Sequence, residues 1–180
     1  MEKIIAYHCA PALAGIKPAN IVSCYKDKVD EIDKRVEELN SQLNPKDIYI
    51  EPLCECGKRV LLMVYRKKVL KAVLEDENVR RFLINQGYPK EGDYKKYINH
   101  LKKNLQKGGI ADEIGAFLGY PLHDIYGFMN HKDEGCLLCG EWKVYENASE
   151  AQKLFERFDK CRRAVCRRIA DGNSLSQVFC

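Results

Sequence analysis

The sequence predicts an α+β fold: a small, mostly antiparallel sheet of about four strands covered by several helices, in a single domain over residues 1–180. Three observations predict it. At 180 residues the chain has the length of one ordinary domain, enough to bury a core without covalent staples. Its β-prone and helix-periodic segments follow in the order strand, helix, hairpin, several helices, strand, helix, without the regular alternation that builds a parallel sheet. No internal repeat and no low-complexity linker divides it. With 46% hydrophobic and 31% charged residues the composition is that of a globular chain and not a disordered one.

The first element is read as a strand, Ile4-Ile5-Ala6-Tyr7, delivering His8 and Cys9 into a segment of small residues punctuated by Pro11, Gly15 and Pro18. After Pro18, apolar residues recur at Ile21, Tyr25, Val29, Ile32, Val36, Leu39 and Leu43, steps of four and three that predict one long amphipathic helix ending near Asn44-Pro45. Ile48-Tyr49-Ile50 and Val60 to Tyr65 then read as a hairpin, with Pro52 placing its strand at a sheet edge or ending it early. Asp76 caps a helix that stops before Gly87, and Asp93 caps another carrying Tyr94, Tyr97, Ile98, Leu101 and Leu105 on one face, ended by Gly108-Gly109. Two short helices, Ala111 to Leu118 and Leu122 to Asn130, are hinged at Gly119-Tyr120-Pro121. A last strand is expected over Glu141 to Tyr145. A last helix begins after Asn147 or Ser149, buries Leu154, Phe158, Cys161, Val165 and Ile169, and ends at Gly172.

Charge and cysteine usage narrow the function classes. The formal net charge of +4 is modest and its signs are interleaved, which favours neither nucleic acid nor anionic lipid as a partner. Two stretches are locally basic, Arg66-Lys67-Lys68 with Lys71, and Arg162-Arg163 with Arg167-Arg168, and both read as solvated helix faces in preference to phosphate-binding patches, although in a helix-turn-helix regulator the Arg-rich last helix would add phosphate contacts. No apolar run reaches the roughly 18 residues of a membrane span, and no signal peptide is recognised, so a cytoplasmic protein is expected. Nine cysteines is an odd number that cannot all pair within the chain, and they are read first as thiols.

Three blocks stand out: HCAPALAGIKPAN at residues 8–20, EIGAFLGYPLHDIYGFM at 113–129 and GEWKVYE at 140–146. In this order and separation they resemble an uncharacterised bacterial family, found largely in clostridia and other anaerobes, known as domain of unknown function 3793. The resemblance covers nearly the whole chain. It implies a cytoplasmic protein of an anaerobe and carries no activity with it.

The first block offers His8 and Cys9 as a base and nucleophile, although successive side chains on a strand point to opposite faces and would need a bend to cooperate. Lys17 and Asn20 supply a cation and an amide at the same strand end, where free helix N–H groups also suit an anion. In the second block the helix-turn-helix spacing comes without Lys or Arg on the second helix, so nucleic acid is not the expected partner. Glu113, Tyr120, His123 and Tyr126 remain cleft candidates. In the third block, alternation puts Trp142 and Val144 on one face, with Lys143 and Tyr145 on the other as ligand-binding candidates.

Cys54-Glu-Cys56-Gly and Cys136-Leu-Leu-Cys139-Gly each place two thiols within reach of one metal, so the four are candidate ligands for zinc or an iron–sulfur cluster. Cys161 and Cys166 lie about 140° apart on a helix and do not share a metal. Cys24 and Cys180 carry no reading alone. Function is thus read as unknown, with a small anionic ligand or thiol chemistry in a pocket of the first block and the Trp142–Tyr145 strand as the leading expectation. A cysteine-ligated metal protein and a helix-turn-helix regulator are the alternatives.

Overall fold

A computed structural model describes residues 1–29, 31–107 and 112–179. Among them a three-stranded antiparallel sheet, of order β1-β3-β2, lies between two helical layers, and a separate two-stranded ribbon packs at one side. This is the α+β class expected, but the strands are partitioned three and two instead of forming one sheet of four.

The largest departure is at the start. Residues Glu2–Leu13 form a helix, α1, and not a strand. Ile5, Cys9 and Leu13 recur at steps of four with Ala6 and Ala10 beside them, and all five are buried, which is the pattern of one helix face. Pro11 lies inside α1 and cannot donate to the Tyr7 carbonyl four residues back. That carbonyl is instead taken by Arg162 Nε at 3.0 Å.

The expected long helix after Pro18 is also corrected, to strand β1, Ala19–Tyr25, followed by helix α2, Ile32–Leu43. A helical stripe through Ile21 and Tyr25 would leave Val22 and Cys24 in water. Two-residue alternation buries Asn20, Val22 and Cys24 together, and the strand therefore wins. The helical spacing resumes at Ile32, Val36, Leu39 and Leu43, the buried face of α2.

Strands β2, Ile48–Cys56, and β3, Arg59–Arg66, form the expected hairpin around Gly57 at φ +55°. Pro52 sits on β2, an edge strand, beside a register shift between Pro52 and Cys54, where its missing N–H costs no ladder bond in a central position. Central β3 sends Val60, Leu62 and Val64 to one face, packed by α1, α2 and the last two helices. Met63 and Tyr65 face the other layer.

That second layer holds α3 (Lys67–Glu75), α4 (Glu77–Asn85), α5 (Tyr94–Gln106), α6 (Ile114–Phe117) and α7 (Leu122–His131). Asp76 caps α4 by accepting from Asn78 and Val79 N–H, and Asp93 caps α5 by accepting from Lys96 N–H. The expected stop at Gly108-Gly109 and start at Ala111 lie outside the described residues, as does Cys180.

The expected strand over Glu141 to Tyr145 shortens to β5, Lys143–Val144, which pairs with β4, Leu138–Cys139, and not with the main sheet. Trp142 and Val144 are buried against α8, Ala148–Ala170. The final turn α9, Leu175–Val178, is closed by a capping box between Ser174 and Gln177, whereas Asn147 makes no side-chain cap at the start of α8. No helix among the described residues is long and apolar enough to cross a membrane.

These layers predict unequal costs for two substitutions. Leu62→Ala, on fully buried central β3, should cost about 2–5 kcal/mol, and Asp76→Ala, an exposed cap, only about 1 kcal/mol. Urea unfolding midpoints compare them. Equal losses would mean that the β3 face is not the packed centre of the fold.

Candidate functional site

Block one and block two meet where Gly119, at φ +74°, passes Pro18. A Cβ there would lie 2.6 Å from the proline ring, so the backbone approach needs glycine. Beside this contact opens a polar cleft of about 410 Å³, bounded by α1, β1, α8 and the turn leading into β5. Its lining includes His8, Lys17, Asn20, Tyr120, Glu141 and Arg162.

Each is placed by local structure. At the end of α1 the Ile16 and Lys17 N–H groups both return to the Pro11 carbonyl, and this carries Lys17 back under the helix. Lys17 is only 3% exposed, and its ammonium lies 3.7 Å from Glu141. The ring faces of Tyr120 and Phe158 stand 5.0 and 5.7 Å from it. Asn20 on β1 is buried and accepts Ala12 N–H through Oδ1 at 3.2 Å, which fixes its amide. Tyr120 donates its hydroxyl to the Glu141 carbonyl at 3.0 Å and stacks on Trp142.

Arg162 joins the walls. Besides the Tyr7 carbonyl, its guanidinium bonds Glu141 and Asp159. One residue earlier, the Cys161 thiol donates to the Ala10 carbonyl at 3.5 Å. Thus α8 satisfies the backbone that proline opens in α1 and positions Glu141 in the same act.

The electrostatics follow from burial. Desolvation lowers the Lys17 pKa, opposed by the charge of Glu141. Desolvation also works against the charge of Arg162, but the Glu141 hydrogen bond and carboxylate outweigh it and raise its pKa. Burial, then Glu141, push the Tyr120 phenol up, so it stays protonated and a donor. The lining set carries two cations and one carboxylate. Asp159, the other partner of Arg162, stands outside at 57% exposed.

The other sequence candidates fall elsewhere. Cys9 is fully buried in the α1 core and burial drives its thiol pKa far up, while His8 is exposed, so the neighbours do not face one another. Glu113 is buried between Tyr88 and Asn104, accepting from the phenol at 3.3 Å and the amide at 2.8 Å. Lys143 pairs with Asp133 over the Phe128 ring, and Tyr145 bonds the Lys132 carbonyl, both away from the cleft.

His123 and Tyr126 border a different and open depression on α7. The helix-turn-helix spacing resolves into a single-turn α6 and an α7 whose Asp124 is buried, accepting Trp142 Nε1–H and Tyr145 N–H at 2.7 Å each.

The four cysteines expected to share a metal remain two pairs, Cys54 with Cys56 near the β2–β3 turn, and Cys136 with Cys139 at the ribbon. The ribbon packs on α7 and α8, and its strands pair with each other and not with the hairpin among the described residues. Among the described residues no three His, Cys, Asp or Glu side chains converge as a metal-binding group.

Glu141 and Arg162 were not candidates from the sequence. Arg162 sits in a basic run that reads as solvated. Its sequence signal was the proline inside an apolar helix period, whose open carbonyl requires a donor.

The family model described as protein of unknown function (DUF3793) matches residues 5–179. No curated protein and no solved structure matches the chain.

The geometry predicts opposite responses from the two cations. Lys17→Met removes a buried charge and leaves Glu141 paired with Arg162, so the melting temperature should hold or rise. Arg162→Met strips Tyr7, Glu141 and Asp159 of a donor and should cost about 2–4 kcal/mol. The folded-state pKa of Lys17 lies below its unfolded value, so between the two the unfolded chain binds more protons and stability rises with pH. The stability advantage of Lys17→Met should therefore shrink as pH rises toward 10.5, the ordinary lysine value. A constant difference across a urea-unfolding pH series would refute the buried-cation assignment.

Proposed function

Because the chain belongs to the DUF3793 family, a family of unknown function, we propose from the chemistry of the cleft that it binds a small anionic molecule there. The observation that carries this reading is Lys17, a nearly buried ammonium held 3.7 Å from its carboxylate on the wall of an otherwise polar cleft. Glu141 at 3.7 Å and the faces of two rings offset only part of the desolvation of that charge, and its pKa is lowered accordingly. A carboxylate or phosphate group entering beside Lys17 and Arg162 adds an anion to a wall that carries two cations and one carboxylate. Its remaining oxygens reach toward the Asn20 amide and His8, and its apolar body lies along Ile21 and Leu118. The cleft volume suits a compact metabolite.

The reading is of a binding protein of the cytoplasm of an anaerobe, supported by the family resemblance and by cysteines that are free among the described residues. Lys143 and Tyr145 do not border this cleft, and the reading uses neither them nor Cys9 chemistry.

Titration calorimetry with inorganic phosphate and with benzoate separates the two anion classes. At least one should bind wild type saturably, and Lys17→Met should weaken it roughly tenfold or more while remaining folded. Neither probe binding, or equal binding by Lys17→Met, would overturn the proposal.

A further inference from the structure

The interleaved charges of the sequence are sorted by the fold. On α8, a 23-residue helix, Ala151, Phe158, Val165 and Ile169 face the core. At about 100° per residue, Lys153, Arg157, Lys160, Arg163, Arg167 and Arg168 fall within an arc about 140° wide on the opposite side. All six are exposed. None forms an ion pair with the described residues, and Asp159, which borders the arc, is engaged by Arg162 from the inner side. Between Lys153 and Arg168, Glu156 is the one acidic residue within the arc, and Glu150 joins it from the first turn of α8. From Lys153 to Arg168 the face runs about 22 Å along the helix axis.

We propose that this face of α8 binds the phosphate backbone of duplex nucleic acid. Charge complementarity and dimensions carry the assignment. Over about 22 Å, one strand of a B-form duplex presents about six phosphates, against six cations here. The row contains no large apolar side chain. A protein partner would need an apolar interface core, and a helix seated within a membrane surface an apolar face to insert, but the apolar side of α8 is committed to the core. A phosphate backbone needs neither, because counterion release alone supplies sequence-independent affinity. Contacts from these six cations to phosphate oxygens position the duplex and carry no sequence information.

The test uses the full chain and a fluorescein-labelled duplex of roughly 20 base pairs, followed by anisotropy from about 50 to 200 mM salt. Wild type should bind with log K falling against log salt at a slope of about −4 to −5. The triple variant Arg157→Gln, Lys160→Gln, Arg167→Gln should reduce the slope by about two to three and weaken binding at least roughly tenfold at the lowest salt. A variant of equal charge change on exposed α5 and its end, Lys95→Gln, Lys103→Gln, Lys107→Gln, should retain wild-type binding. Circular dichroism and melting temperature verify that both fold. No binding by wild type, equal losses in both triple variants, or binding to phosphatidylglycerol-containing vesicles in place of the duplex would each overturn the proposal. Because Lys17 and Arg162 are unchanged in both variants, phosphate or benzoate binding in the cleft stays intact whichever way this test falls.

Discussion

The guanidinium of Arg162 is the interaction on which the arrangement depends. Proline inside α1 leaves the Tyr7 carbonyl without its helical donor. Arg162 supplies the donor from α8 through Nε, and gives one N–H of each Nη to Asp159 and Glu141. The bond fixes how α8 lies on α1. It also fixes the turn into β5, because Glu141 is held by Arg162 through its side chain and by Tyr120 through its carbonyl. The cleft is the space these three constraints leave open, and Lys17 is in it because the end of α1 folds back on the same proline.

How much of this was legible in the sequence varies with what set each element. The β2–β3 hairpin, the Asp76 and Asp93 caps and the span of α8 follow from local chemistry, and the structure has them where turn residues and side-chain oxygens place them. The first forty residues do not. Ile4 to Tyr7 is short enough to satisfy either a strand or a helix, and what decides is burial of Cys9 and Leu13 two turns later. Ile21 and Tyr25 fit a helical stripe, and only pairing with β3 along the whole length of β1 makes Val22 and Cys24 the inward positions. In each case a long-range contact outweighed the local pattern.

The cleft shows the same division. His8, Lys17 and Asn20 were visible because they lie in one compact block, and the fold does set them around one space. Glu141 and Arg162 complete it from positions more than a hundred residues away, where neither has a distinctive neighbourhood. Charge is similarly hidden: a chain that looks electrically mixed when read in order becomes, on α8, a helix with one apolar and one cationic side. Periodicity of charge along that single helix would have shown it, whereas net charge could not.

The bond between Arg162 and the Tyr7 carbonyl joins residues 155 positions apart, and this bears on the order in which the molecule can be made. A ribosome adding roughly 5–20 residues per second needs about 8–30 s to travel that distance. For all of that time the first helix exists without its donor and without the α8 surface that covers Cys9, Ala10 and Leu13. The N-terminal helix therefore meets the sheet as the hairpin emerges, but the side that faces α8 stays uncovered while the middle helices pack. The last long helix to leave the exit tunnel is the one that closes the structure, so nascent chains halted before it carry an open seam that chaperones are suited to hold.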